Sequence, residues 1–511
     1  MVQLCPVEEE GVEQHIPDSM QVLLHKYAKL FDEPQGLPPH RPFDHAIPLM
    51  SGARPVNLRP YRFNPAQKDE IERQVAEMLR QGVIVINHSP FSSPMLLVGK
   101  KDGTWRLCVD YRCLNAITIK NRFPLPIIDE LLDELAGTVW FTCLDMRAGY
   151  HQIRLKPGEE YKTAFRTHMG HYELKVMSYG LTGGPATFQS TMNTILAPLL
   201  RKGVLVFIDD ILIYSATLEE HEKLLQQVFD ILRQHQFKIK RSKCTFARKE
   251  ITYLGHIVSG CGVATDPKNV TAVQQWPVPM NVKEVRGFFG LAGYYRKFVK
   301  GFGMLSKPLT ELLKKNHPFV WSHEQQEAFE VLKVALTSAP VLALPDFKKQ
   351  FVVETDASEK GIGAVLMQDG HPLAYLSRAL GPKTQGLSTY EKECMAILIA
   401  VDHWRTYLQG AEFVIRTDQQ SLVHLDEQRI STPWQQKALT KLMGLQFRIV
   451  YKKGLENRAA DALSRLGDVG EEVLSAVSVC LPEWIQGISD GYMKDPVTLK
   501  ILEHMKTKAS L

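Results

Sequence analysis

Acidic residues at the ends of apolar stretches are where this sequence could do chemistry. Asp209 and Asp210 are adjacent within residues 204–214, VLVFIDDILIY, where two very apolar strands must meet in a tight hairpin. Two-residue hairpin turns need positive φ and favour Asn-Gly or Asp-Gly, so Asp-Asp at the tip is a poor backbone choice. It also sets two like charges side by side, which raises the cost of ionising both. A divalent cation removes that cost, and hard cations such as Mg²⁺ take carboxylate oxygens. Asp145, closing the apolar residues 139–145, is placed to complete such a site. A lone Asp-Asp pair is far more often a plain polar turn, so the flanking residues must decide.

A second set of acids lies in the last third. Asp356 ends FVVETD, Glu393 lies on a helix, Asp418 ends FVIRTD, and Asp461 falls in the first turns of the last expected helix. A carboxylate ending an apolar strand suits a metal, but it is also an ordinary loop start. Any one of these four is therefore weak evidence.

Several elements must position these acids. Residues 1–60 offer one helix, around 20–31, and then a proline-rich stretch that reads as a leader or linker. Asn64 and Pro65 open a helical pattern to Leu79, with Ile71, Val75, Met78 and Leu79 on one face. Strands are expected at 95–98 and 105–111, joined by Lys101, Asp102 and Gly103, and a helix at 219–234. Residues 268–345 read as mainly helical, with Pro340 and Pro345 marking a linker. Beyond it come a strand at 351–355, an Asp369-Gly370 hairpin turn and a helix begun by the capping box Ser388/Glu391 and running to about 408. Strands at 413–417 and 447–451 precede the last helix, from Arg458.

Composition sets bounds. At 511 residues with 44% hydrophobic and 23% charged content, the chain has room for several ordinary globular domains. No run of about 18 apolar residues offers a membrane span, and Glu8, Glu9 and Glu10 stand where a signal peptide would need basic and apolar regions. The eight cysteines contain no C-x-x-C and read as reduced thiols without a structural zinc. A net charge of +5 argues little, but its distribution argues more. Arg233, Lys238, Lys240, Arg241, Lys243, Arg248 and Lys249 form an acid-free run, and residues 283–315 interleave cations with Phe288, Phe289, Tyr294, Tyr295 and Phe298. Such clustering suits a phosphate track, although a solvated basic face would look the same.

The flanking motifs then decide. FIDDILIYS (207–215) resembles the catalytic hairpin of reverse transcriptases, and LDMRAGYHQIRL (144–155) resembles their first metal-ligand motif. WRLCVDYRCLN (105–115) is similar to the finger motif, YGLTGGPATFQ (179–189) to the nucleotide-pocket motif, and YLGHIVS (253–259) to the primer grip. TDASEKGIGAVL (355–366), STYEKECMAILIAV (388–401), RTDQQSL (416–422) and ENRAADALSR (456–465) resemble the attached ribonuclease H domain. The resemblance covers about residues 60–466 and is strongest to Ty3/gypsy-type long-terminal-repeat retrotransposons.

That resemblance implies an α+β fold: a right-hand polymerase with fingers, palm and thumb, followed by a ribonuclease H-like mixed-sheet domain. Fingers and palm would span 61–267, a helical thumb and connection 268–345, and the ribonuclease H domain 346–466. Asp145, Asp209 and Asp210 would hold two Mg²⁺ ions for DNA synthesis, with Mn²⁺ as a second candidate. Asp356, Glu393, Asp418 and Asp461 would hold two more for cutting the RNA strand of a hybrid. Lys100 and Arg106 would contact the incoming triphosphate, Tyr150 would exclude a 2′-hydroxyl, and Gln189 would line the pocket. Leu254, Gly255 and His256 would seat the primer end. The implied partners are an RNA template, a DNA primer, RNA–DNA hybrid and deoxynucleoside triphosphates, with no membrane and with a homodimer left open. The implied location is a cytoplasmic virus-like particle with access to the nucleus.

Two departures from the family pattern stand out. Ser178, Tyr179, Gly183 and Gly184 replace the usual Pro-Phe and Asn-Ala around Gly-Leu-Thr. Successive glycines loosen a backbone, so pocket geometry and fidelity are what this change would touch. Tyr451 stands where many ribonucleases H carry a loop His; related retrotransposons often lack that His, so activity is expected, with slower turnover or a different arrangement of product release. No Asp-Thr-Gly or Asp-Ser-Gly protease motif and no zinc knuckle occur. Residues 467–511 read as a spacer toward a missing integrase, in part of a larger polyprotein or a degenerate genomic copy. An inactive or host-adopted nucleic-acid binder, or a structural subunit, is the alternative, and the presence of all seven acids argues against both.

Overall fold

Asn64 accepts the Gln67 N–H at 2.8 Å, while the Gln67 side chain takes the Asn64 N–H at 3.1 Å, and Pro65 follows at the first helical position. This reciprocal cap starts the helix Pro65–Arg80, which buries Ile71 and Val75. The computed structural model describes residues 16–99, 103, 105–315, 317–424, 436 and 440–452. Lys100, Lys101, Asp102, Asp461, the expected last helix and residues 467–511 lie outside the described residues. The described residues divide into two compact units, one of 16–127 with 139–249 and one of 128–138 with 250–452.

In the first unit the strands, in chain order, are β1 (Ile84–Ile86), β2 (Ser93–Gly99), β3 (Trp105–Val109), β4 (Trp140–Asp145), β5 (Phe165–Arg166), β6 (His171–Leu174), β7 (Val204–Phe207), β8 (Asp210–Ser215) and β9 (Thr245–Arg248). One sheet has the order β1-β6-β5-β2-β3, with β2 and β5 its parallel pair. The other has the order β7-β8-β4-β9 and is antiparallel throughout. The apolar run noticed in the sequence is needed because this second sheet is deeply covered. Val204, Val206, Ile211 and Ile213 share one core with Phe188 and Met192 of the helix Gly184–Ile195 and with Leu225, Phe229 and Leu232 of the helix Leu218–Gln234.

Residues read as a leader or linker belong to that same core, which corrects the reading for 18–49. Met20, Leu24, Tyr27, Leu30 and Ile47 are buried in it, and the Tyr27 ring lies 5.3 Å from that of Phe229. The prolines do fix an extended path, but it is one that lays the chain on the sheet unit: the His45 N–H donates to the Arg154 carbonyl at 2.8 Å.

In the second unit, β10 (Glu250–Tyr253), β11 (His256–Ser259) and β12 (Gly262–Thr265) form an antiparallel meander. It was not foreseen from the sequence, because four-residue strands show too little alternation. Helices Pro267–Gln274, Val282–Ala292 and His323–Thr337 follow, with short ones between. The last sheet contains β13 (Val352–Ala357), β14 (Gly361–Gln368), β15 (His371–Ala379), β16 (Phe413–Thr417) and β17 (Phe447–Tyr451) in the order β15-β14-β13-β16-β17. It is mixed: β13, β16 and β17 run parallel and the remaining pairs antiparallel. Asp369 and Gly370, both at positive φ, close the β14–β15 hairpin. Among the described residues, no helix is long and apolar enough to cross a membrane.

Candidate active sites

Asp145 is the last residue of β4, and its register partner on β8 is Asp210. Directly opposed residues of an antiparallel pair point to the same face, so sheet register sets these two carboxylates beside each other. The hairpin turn falls one residue earlier than expected. β7 and β8 pair Phe207 with Asp210, so Ile208 and Asp209 are the turn and Asp210 already belongs to the strand. Ile208 sits at φ 54°, a region a β-branched residue rarely enters. The Asp145 backbone is tied on both sides: its N–H donates to Cys244 Sγ at 3.3 Å and its carbonyl accepts from Lys240 N at 2.9 Å. Lys243 Nζ lies 3.0 Å from Asp145 Oδ2 and offsets part of the acidic charge.

Gln189 does not line an open pocket. It is fully buried, and its amide binds the β7–β8 hairpin from behind, accepting the Ile208 N–H at 2.6 Å and donating to the Val206 carbonyl at 3.1 Å. The expected nucleotide contact is thereby corrected: an amide with no solvent access and both ends engaged acts through the turn.

Tyr150 is buried, stacked on Phe188 (5.6 Å between centroids, 17° between planes) and 4.7 Å from the Tyr179 ring. Burial, reinforced by Asp209, raises the Tyr150 hydroxyl and pushes Tyr179 up to about 12. Arg106 is exposed, with its guanidinium 5.6 Å from the Tyr179 ring centroid. Gly183 and Gly184 serve space here rather than backbone freedom, since Gly184 begins a helix and Gly183 caps it at φ −86°. A β-carbon on Gly184 would lie 2.8 Å from Tyr150 Cε1, and one on Gly183 would lie 3.0 Å from His45 Cε1. The expectation of a loosened backbone is therefore replaced by one of close packing.

Leu254 and Gly255 form the two-residue turn between β10 and β11, and His256 is the first residue of β11. His256 is buried, packed on Tyr294, Tyr295 and Phe298. Its ring is closed off from solvent.

The second acidic site converges. Asp356 comes from β13, Glu393 from the helix Thr389–His403, and Asp418 follows β16. Their ligand oxygens lie within 4.8 Å of one another, the one such cluster among the described residues. Parallel pairing of β13 with β16 brings the two aspartates to one sheet end. Ser388 caps the helix through its capping box with Glu391, which sets the phase that turns Glu393 inward. Ala357 N donates to Glu393 Oε1 at 2.7 Å. Burial, then Asp356 and Asp418, push the Glu393 carboxyl up to about 9. Burial beside two further acids disfavours the charged form of Glu393; a hard divalent cation held by the three oxygens would reverse that, so the donor set fits such a metal. Tyr451 ends β17 and is exposed.

Residues 98–258 match the family model described as reverse transcriptase (RNA-dependent DNA polymerase), and residues 321–415 match the RNase H-like domain found in reverse transcriptase. The chain is 43% identical over 418 residues to the retrovirus-related Pol polyprotein from transposon 297 of Drosophila melanogaster, covering 81% of this chain and 40% of that protein. It is 36% identical over 429 residues to the transposon Tf2-3 polyprotein of Schizosaccharomyces pombe, covering 81% and 32%. The chain belongs to the reverse transcriptases of Ty3/gypsy-type retrotransposons.

The reverse transcriptase spans two fifths or less of the length of these relatives. Its fold is similar to that of foamy viral protease-reverse transcriptase: TM-scores are 0.78 against the form solved with double-stranded DNA and 0.70 against the form solved with RNA/DNA hybrid. Identities there are 23% and 24%, with 86% and 89% of this chain and 80% and 62% of those chains covered. The right-hand polymerase followed by a mixed-sheet RNase H-like domain is thus the architecture of this reverse transcriptase.

Proposed function

We propose that this reverse transcriptase copies retrotransposon RNA into DNA, using RNA and then DNA as template, and removes RNA from the resulting hybrid. The observation that carries the reading is a pair of acidic centres on separate sheets. Asp145, Asp209 and Asp210 lie at one strand end and hairpin, and Asp356, Glu393 and Asp418 converge at another. Asp461 would join the second set. Two Mg²⁺ per site, or Mn²⁺ in their place, would activate the attacking oxygen and neutralise charge on the leaving group. Asp145 and Asp210, held side by side by sheet register, would supply ligand oxygens there, and Asp209 would supply another from the turn.

Around that centre, Arg106 would pair with the triphosphate of the incoming deoxynucleotide, together with Lys100. Tyr150, wedged between Phe188 and Gly184, would form the floor beneath the sugar and leave no room for a 2′-hydroxyl. The Leu254–Gly255 turn would seat the primer end, with His256 acting from beneath it. The partners are then an RNA template, a DNA primer and the hybrid they form, within a cytoplasmic particle whose product reaches the nucleus.

The test is extension of a DNA primer on an RNA template, with the RNA strand labelled in the same reaction. Extension and RNA cleavage should both appear with Mg²⁺, stop with a chelator and return when the metal is restored. Tight binding of the hybrid by folded protein, with neither reaction under Mg²⁺ or Mn²⁺, would instead make the chain a nucleic-acid binder.

A further inference from the structure

The β10–β11 hairpin closes with two residues at positive φ, Leu254 at 47° and Gly255 at 74°. Glycine takes this conformation freely, whereas leucine does not. Something must hold the turn, and two adjacent hydroxyls do. Tyr294 Oη donates to the Leu254 carbonyl at 2.6 Å, and Tyr295 Oη donates to the Gly255 carbonyl. Both tyrosines follow the helix Val282–Ala292 and its cap Gly293. Asn269, on the helix Pro267–Gln274, donates from Nδ2 to Tyr295 Oη at 2.8 Å and thereby orients that hydroxyl.

His256 completes the clamp. Its Nδ1 lies 3.0 Å from the Leu254 carbonyl, and its buried Nε2 has no partner among the described residues. Burial and Lys297 hold the ring neutral, with its pKa lowered to about 4, and Nδ1 also lies 3.3 Å from Tyr294 Oη. A β-carbon on Gly255 would come 3.2 Å from Asn269 Nδ2 and 3.4 Å from Tyr295 Oη. The turn is thus gripped from the helical side through its two carbonyl oxygens.

We propose that Tyr294 and Tyr295 are positioning residues for the primer terminus, fixing the Leu254–Gly255 turn through its carbonyls without touching nucleic acid. The proposal rests on the reading that this turn seats the primer end. It assigns a role to hydroxyl groups in a stretch whose aromatic content would otherwise be plain core packing. Phenylalanine keeps that packing and removes only the clamp.

The experiment is steady-state primer extension by the full chain carrying Tyr294→Phe with Tyr295→Phe, beside wild type, Asn269→Ala and Gly255→Ala. The KM for primer–template should rise roughly tenfold in the double variant, the scale of lost hydrogen bonds expressed as affinity. The KM for deoxynucleotide and the rate of RNA cleavage in a preformed hybrid should stay at wild-type values. Asn269→Ala should move the primer KM the same way by less. A loss of packing would instead lower the melting temperature and depress every rate together, and that result overturns the proposal. A wild-type primer KM in the double variant, with a raised one in Gly255→Ala, also overturns it while leaving the primer role of the turn standing. A wild-type primer KM in all variants overturns both.

Discussion

The side-chain carbonyl of Gln189 accepts the backbone N–H of Ile208 at 2.6 Å, across 19 residues of sequence. The same amide donates to Val206 at 3.1 Å and to Asn193 Oδ1 at 2.9 Å. Ile208 is the residue that accepts left-handed backbone so that Asp209 and Asp210 can follow. Backbone strain of this kind costs about 1–3 kcal/mol and persists only where its surroundings impose it. Gln189 is the part of those surroundings that reaches the turn itself.

Replacing Gln189 with Leu keeps an apolar fit and removes both hairpin bonds. A buried group left unsatisfied costs about 1–3 kcal/mol, so the expected loss in polymerisation kcat is roughly tenfold to hundredfold. RNA cleavage in a preformed hybrid should not change. Single-turnover extension measures the first quantity and labelled-hybrid cleavage the second. An unchanged extension rate would mean that the turn holds its shape without the amide.

Gly184 gives a second expectation. Its substitution by Ala places a methyl 2.8 Å from the Tyr150 ring, closer than carbon atoms tolerate, and the ring is stacked on Phe188 behind. The ring must shift or Phe188 must give way. The KM for deoxynucleotides should rise by about an order of magnitude, corresponding to about 1.4 kcal/mol, and discrimination against ribonucleotides should change with it. Competition assays with paired deoxy- and ribonucleotides read both. Unchanged values for both would remove Gly184 from the account.

Asp133 offers a pH test within the second unit. Burial pushes its carboxyl from 3.8 to about 6, with Tyr407 Oη donating to it at 2.7 Å and Lys297 opposing the rise. A carboxyl whose folded pKa lies above its unfolded value binds its proton more tightly in the folded state. Its stabilising contribution is complete below about pH 3.8 and is lost as pH rises through about 6. Asp133→Asn cannot titrate and keeps an acceptor for Tyr407. Its melting temperature should therefore gain on wild type between pH 4.5 and pH 7. Melting curves at both values check this, and an equal difference at the two would contradict it.

What could be read from the sequence was local. The Asp369-Gly370 turn, the Ser388/Glu391 cap and the apolar strand at 413–417 each carry their signal within a few residues, and all three are present. Asp145, Asp356 and Glu393 are visible as acids on such elements, but the meeting of Asp145 with Asp210 depends on sheet register, and that of Asp356 with Glu393 and Asp418 on strand pairing and helix packing. The rest depends on partners far along the chain. Nothing near Gln189 announces Ile208, and nothing near Gly184 announces Tyr150, because the contact that gives each its role is tertiary. The proline-rich stretch before residue 60 looked like a tether because its burial, at Ile47 for example, is against residues that follow much later. Tyr294 and Tyr295 read as members of an aromatic stretch, with no hint of two hydroxyls aimed at carbonyls forty residues earlier.

Two independent metal-dependent centres on one chain should fail separately. Primer extension on a labelled RNA template, with wild type beside Asp209→Asn and Asp356→Asn, separates them. Asp209→Asn should abolish extension and still cut RNA in a preformed hybrid, and Asp356→Asn should extend normally and leave the RNA intact. Loss of both reactions in either folded variant, or survival of both, would contradict that independence.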